Sequence, residues 1–221
     1  MKGMIFLKLT QKNCIDLINI LKNFYPDATC SLNFTSPFEL LVAVMLSAQC
    51  TDERVNLTTP ALFKEYNTPE TMAKINLEKL EDFIRPCGFY RNKAKNLKAC
   101  SQKLISDYNG IVPSDMKELI SLPGIGRKSA NVIQLEVFGI ANGIAVDTHC
   151  KRIANRIGLS AKSDPSKIEQ DLLNILPQKY LKDVNHLFIW HGRKICTARN
   201  PKCFECPIKT FCKTWNNSQE K

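Results

Sequence analysis

Toward its C-terminal end the chain carries Cys196, Cys203, Cys206 and Cys212, spaced C-x6-C-x2-C-x5-C. Thiols at this density in a reducing compartment are metal ligands rather than a disulfide framework. Four of them suit either a tetrahedral zinc or a cubane iron–sulfur cluster. The central pair fits both, whereas the wide outer spacings are unlike the usual zinc pairings. The second candidate chemistry is an amine with a carboxylate. Lys128 lies in Leu122-Pro123-Gly124-Ile125-Gly126-Arg127-Lys128-Ser129-Ala130-Asn131, and Asp147 in Val146-Asp147-Thr148-His149. In the first turn of a helix, the dipole and neighbouring Arg127 both disfavour a permanent ammonium at Lys128. That bias is what an amine nucleophile requires. Each residue also has a plainer role open to it: Lys128 as a phosphate partner, Asp147 as a helix cap.

The elements that must present these groups are legible in the same segments. Met116, Leu119 and Ile120 mark a short amphipathic helix, Pro123 stops it, and a second apolar helix runs through Val137. Gly124 and Gly126 permit a tight turn and, lacking Cβ atoms, let another molecule approach the main chain. Free N–H groups at the following helix N-terminus, beside Arg127, form an anion site suited to a DNA phosphate. From Lys128 to Phe138 a helix travels about 15 Å. The residues from Gly139 to Asp147 can span up to about 30 Å. Asp147 can therefore return to the mouth of the hairpin.

Helical periodicity dominates the rest of the chain. Ser36-Pro37-Phe38-Glu39 reads as a capping box opening a helix through Leu46, apolar nearly all round and so central to a core. Thr51-Asp52, Thr68-Pro69 and Asp164-Pro165 open further helices. Helical spacing from Arg91 to Tyr108 ends at Asn109-Gly110. Cys150, Ile153, Ala154 and Ile157 form one stripe, and Ile168, Leu172, Ile175 and Leu176 another. No segment alternates with period two, so the fold class is all-α.

Lys and Arg number 31 against 21 Asp and Glu, a formal charge of +10, which suits a polyanionic partner. The apolar run within Met1–Lys8 is too short for a signal peptide, and Leu40–Ala48 is far too short to span a bilayer. A soluble intracellular protein without membrane attachment is expected. The remaining cysteines, Cys14, Cys30, Cys50, Cys87, Cys100 and Cys150, have no ligand spacing and read as buried or inert thiols.

The hairpin segment followed by Val146-Asp147-Thr148-His149 resembles the signature of the bacterial endonuclease III family, bifunctional DNA glycosylases and abasic-site lyases for oxidised pyrimidines. The resemblance extends from about Cys30 to Cys212. It implies two helical domains with the active cleft between them. One is a six-helix barrel over 30–140 bearing the helix-hairpin-helix; the other is an iron–sulfur cluster domain from 1–29 and 141–221. Lys128 would attack C1′ of the damaged nucleotide, and Asp147 would assist base loss and stabilise charge on the sugar. The four C-terminal cysteines would hold a [4Fe–4S] cluster, with Arg199 and Lys202 in its loop contacting phosphates.

Gln49 matches a family glutamine that fills the space vacated by the flipped base. Phe89 falls where the family places an apolar wedge, generally leucine. Arg85, Arg91, Lys93, Lys95, Lys98 and Lys103, with no acidic residue between Arg85 and Ile105, read as a backbone-tracking surface. The implied partner is double-stranded DNA with damaged bases or abasic sites, met by a monomer in the cytoplasm at the nucleoid. Alternatives are an adenine glycosylase, against which Lys128 argues, a mismatch-specific thymine or uracil glycosylase, and a non-catalytic DNA-binding protein.

Overall fold

The computed structural model describes residues 9–219. The Met1–Lys8 stretch considered above as a signal peptide lies outside them. Every regular element described is helical. The chain divides into two compact units, one of Cys30–Ile140 and the other of the segments before Cys30 and after Ile140. Helix α1 (Gln11–Phe24) belongs to the second unit. The first unit follows with α2 (Pro37–Leu46), α3 (Asp52–Phe63), α4 (Pro69–Lys74), α5 (Leu77–Ile84), α6 (Tyr90–Tyr108), α7 (Met116–Ser121) and α8 (Arg127–Phe138). The chain then returns to the second unit with α9 (Thr148–Ile157), α10 (Pro165–Ile175), α11 (Gln178–Lys194) and α12 (Lys213–Gln219).

In the first unit α2 is the axis, with every residue from Phe38 to Leu46 buried. No hydrophobic stripe could bury all of them, so helices must cover it on several sides. Its start departs from the expected capping box in one respect. Ser36 accepts from the Glu39 N–H, but the Glu39 carboxylate turns back one residue further and takes the Thr35 N–H and O–H at 2.6 and 2.7 Å. A reciprocal box does form at α4, between Thr68 and Thr71.

The far end of α2 is closed by Lys93 of α6, which is 7 % exposed. Its ammonium donates to the Leu46 carbonyl at 2.8 Å and the Cys87 carbonyl at 2.9 Å. Burial holds its pKa below the usual lysine value. One cation thus satisfies the C-terminal end of a buried helix and the turn preceding α6.

The second unit has its own core. Cys14, Leu17, Ile18 and Leu21 of α1 join the expected α9 stripe and Ile168, Leu172, Val184 and Phe188. The segment leading into α9 is held there: Ile144 donates to Glu169, and Asn185 Nδ2 donates to the Ala145 carbonyl at 2.6 Å. Among the described residues no helix is long and apolar enough to cross a membrane.

Candidate active site and cysteine cluster

The hairpin between α7 and α8 is set by Gly124, whose φ is +83. A β-carbon there would lie 2.8 Å from Met45 Cε and 3.1 Å from Asn96 Cβ. The missing side chain is therefore used by the protein itself, to seat the turn on α2 and α6. Gly126 differs: φ is −100 and a β-carbon would meet nothing within 4 Å. Of the two glycines expected to admit another molecule, Gly126 has that open space. It is the N-cap of α8, and no side chain caps the helix. The first N–H groups of a helix have no intrahelical acceptor, so this end suits an anion. Arg127 and Lys128 follow in the first turn, both exposed. Leu122 and Ile125 beneath, and Ala130 and Ile133 on the inner face of α8, anchor the motif in the core.

Asp147 is the N-cap of α9, its Oδ1 accepting the Cys150 N–H at 2.7 Å. The cap fixes the carboxylate while leaving the residue half-buried. Two residues on, His149 Nδ1 stands 3.1 Å from Arg152 Nη2. Burial is the main cause lowering the His149 pKa.

Gln49 and Phe89 share an unusual backbone. Both sit in the left-handed region, at φ +54 and +48, where non-glycine residues are disfavoured. Such conformations cost about 1–3 kcal/mol each and persist only where surrounding structure imposes them. Phe89 is also 64 % exposed, against the trend for so large an apolar ring. The basic run around it is not the continuous surface its composition suggested. Lys93 is turned inward, Lys98 donates to the Ile75 carbonyl, Arg85 pairs with Asp82, and Lys103 pairs with Asp107. The long stems of Lys93 and Lys98 reach distant carbonyls of the protein itself, which charge counting along a sequence does not register.

Cys196, Cys203, Cys206 and Cys212 line a single cavity of about 110 Å³ with Ile153, Ile157, Ile208 and Trp215 among its walls. Yet no three of His, Cys, Asp and Glu among the described residues stand close enough to share one metal ion. A tetrahedral zinc needs its thiolates about 3.8 Å apart. Four thiols surrounding a space fit a cubane, in which each thiolate binds a different iron. Burial pushes the Cys206 thiol up to about 11 and raises Cys212, so these ligands need positive charge to stay ionised.

Residues without a motif support this loop. Arg156 Nη1 donates to Cys196 Sγ at 3.3 Å and to the Thr197 carbonyl, while Nη2 donates to the Ala198 carbonyl. Arg152 Nε donates to the Cys196 carbonyl at 3.0 Å. His191, 1 % exposed, lies between Tyr25 and Cys206, with Nδ1 3.0 Å from the Tyr25 hydroxyl and Nε2 3.5 Å from Cys206 Sγ. Burial lowers its pKa to about 4, so it is neutral at physiological pH. A Cys206 thiolate can only accept, so Nε2 donates to it and Nδ1 accepts from Tyr25. Arg199 and Lys202 are exposed on the loop. Only the hydrophobic stripe of α9 marks the side opposite Arg156, so sequence spacing gave no signal for these supports.

Residues 42–178 match the HhH-GPD superfamily of base excision DNA repair proteins, and residues 196–212 match the iron–sulfur binding domain of endonuclease III. Endonuclease III of Synechocystis is 45 % identical over 91 % of this chain and 92 % of its own length. The Bacillus subtilis enzyme is 42 % identical over 94 % of each chain. The chain belongs to the endonuclease III family. A solved structure of a trapped endonuclease III–DNA covalent intermediate superposes with a TM-score of 0.90 at 41 % identity, covering 97 % of this chain and all of that one. A thermostable thymine-DNA glycosylase, 22 % identical with a TM-score of 0.83, shares the fold.

As a member of the endonuclease III family the protein is a DNA-binding base-excision repair enzyme with glycosylase and abasic-site lyase activity. Its cofactor is a [4Fe–4S] cluster. The cysteine cavity fits that group, and the cluster, when bound, supplies the positive iron charge that buried thiolates lack.

Two outcomes are expected. Gly124→Ala loses about 1–3 kcal/mol of stability in urea unfolding, from its left-handed φ and its tight approach to Asn96 Cβ. Gly126→Ala loses about 1 kcal/mol or less, a capping difference only. Equal losses would show that the close packing at Gly124 is unimportant. Separately, Arg156→Ala frees three anchors of the cysteine loop. Its iron content and visible cluster absorption should fall faster under a chelator than in wild type, with the helical signal intact.

Proposed function

We propose that the enzyme removes oxidised pyrimidines from double-stranded DNA, with Lys128 as nucleophile and Asp147 as the carboxylate that assists it. The supporting observation is an exposed lysine in the first turn of an uncapped helix, immediately after the open hairpin glycine Gly126. The Lys128 amine attacks C1′ as the C1′–N bond to the base breaks, and the base leaves with the bonding electrons. The Asp147 carboxylate, held by the Cys150 N–H, balances the positive charge developing on the sugar. The amine–sugar adduct opens to an imine, which serves as the electron sink when a C2′ proton is lost and the 3′ phosphate departs.

The base must first leave the stack. Gln49 fills the vacated place, and Phe89 enters as the apolar wedge. Phenylalanine in place of the family's usual leucine offers a broader stacking surface. Main-chain N–H groups around Gly124 and Gly126, with Arg127, hold a phosphate, and Arg199 and Lys202 hold another part of the backbone. The enzyme works as a monomer in the cytoplasm, at the nucleoid, a reducing compartment.

Borohydride reduction of the wild-type reaction on an abasic duplex should trap a covalent protein–DNA adduct, and Lys128→Gln should yield none. An undiminished adduct in that variant would move the nucleophile elsewhere. Asp147→Asn should slow base removal by roughly a hundredfold or more, the scale of losing one charge-stabilising group. On duplexes carrying one lesion each, an oxidised pyrimidine should be excised faster than thymine or uracil opposite guanine. The reverse order would assign the enzyme to mismatch repair instead.

A further inference from the structure

His191 meets the cluster loop in two ways. Its main-chain carbonyl accepts the Cys196 N–H at 2.8 Å, and its imidazole lies in the wall of the cysteine cavity with Nε2 3.5 Å from Cys206 Sγ. The residue is 1 % exposed, and the Tyr25 hydroxyl stands 3.0 Å from Nδ1. Tyr25 is itself buried, at the C-terminal end of α1, where its N–H bonds to the Leu21 carbonyl. Its ring makes T-shaped contacts with Phe24 and His191, at centroid distances of 4.9 and 5.9 Å, and lies 6.3 Å from Trp190. Packing fixes the ring, and the hydroxyl adds the link to the imidazole.

The reduction potential of an iron–sulfur cluster depends on hydrogen bonds to its sulfurs as well as on net charge and exposure. A donor stabilises negative charge on the thiolate, and the reduced cluster places more of that charge there. Such a bond therefore favours the reduced state and makes the potential more positive. Ile153, Ile157 and Ile208 line the same cavity, and in apolar surroundings a hydrogen bond is electrostatically stronger than in water.

We propose that His191 and Tyr25 set the reduction potential of the bound cluster through Cys206, with His191 as the donor and Tyr25 as its positioning residue. Cys206 as a thiolate has no proton to give, so the imidazole proton sits on Nε2 and points at the sulfur. Nδ1 is then the acceptor, and the Tyr25 O–H donates to it. That bond holds the tautomer and, because linked hydrogen bonds polarise one another, strengthens the donor at Nε2. Arg156 donates to Cys196 Sγ, but its guanidinium also anchors the Thr197 and Ala198 carbonyls, so its removal disturbs the loop. His191 holds the loop through its main-chain carbonyl, which a side-chain substitution retains. Its imidazole can be altered with that anchor in place, and Tyr25→Phe removes one oxygen from a ring that keeps its packing.

The test measures the one-electron potential of the purified full-length holoenzyme by voltammetry, with iron content and helical signal recorded for each variant. His191→Leu should shift the potential negative, changing the reduced-to-oxidised ratio at a fixed potential by about tenfold, or about 59 mV for one electron. Tyr25→Phe should shift it in the same direction and by less. His191→Gln, whose amide can still donate toward Cys206, should lie closer to wild type than to His191→Leu. A wild-type potential in iron-loaded His191→Leu overturns the proposal, as does a positive shift. So does a potential in His191→Gln as low as that of His191→Leu, which would assign the effect to ring packing. An unshifted potential in Tyr25→Phe overturns it as well, and that variant decides alone if His191→Leu fails to hold iron.

Discussion

Gly124 holds φ +83 close against Met45 and Asn96, where a β-carbon would crowd both, and this constraint governs how the chain leaves α7 and enters α8. Leu122 and Ile125 on either side are buried, so the turn cannot lift away without exposing core. The next residues inherit their positions. Gly126 becomes an N-cap without a side chain, the leading N–H groups of α8 have no intrahelical acceptor, and Lys128 emerges in the first turn. A helix end suited to an anion and an exposed amine are thus products of one tight backbone turn rather than independent features.

A similar economy operates around Lys93. Burying an ammonium is costly unless it is well hydrogen-bonded. Lys93 meets that condition with two carbonyls, one at the end of α2 and one in the turn before α6. The residues presented beyond those two points are Gln49 and Phe89, each in a conformation that an unrestrained chain would leave. Both conformations are costly for a non-glycine residue and persist only where the surrounding structure imposes them. The buried cation thus ties together the chain segments from which both strained residues emerge.

In the other unit α9 has two tasks. Its first residue follows Asp147, whose carboxylate caps it, and its polar face carries Arg152 and Arg156. Those guanidiniums hold the Cys196 carbonyl and sulfur and the loop that follows. Gly192 permits the approach, since a β-carbon there would lie 2.6 Å from His149 Nδ1 and 2.9 Å from Arg152 Nη2. The cysteine loop is therefore braced on the same helix that positions the carboxylate.

The sequence alone determined the helical class and the hairpin between α7 and α8, and it offered the cysteine spacing, Lys128 and Asp147 as candidates. Those features are local: capping residues, turn glycines, helical spacing and ligand spacing each act within a few positions of the chain. The α9 and α10 stripes and the starts of α2, α3, α4 and α10 were readable for the same reason. Only the tertiary structure decided which charges face outward. Lys93 and Lys98 look like their neighbours in a basic run, but packing gives them the distant Leu46 and Ile75 carbonyls, whereas Arg85 and Lys103 pair locally with Asp82 and Asp107, three and four residues away. It likewise decided that Gly124 serves the core while Gly126 faces open space, and that Tyr25, Arg156 and His191 support the cysteines. Contacts between residues as far apart as Tyr25 and His191 leave no periodic trace, because they depend on how helices pack rather than on how any one of them forms.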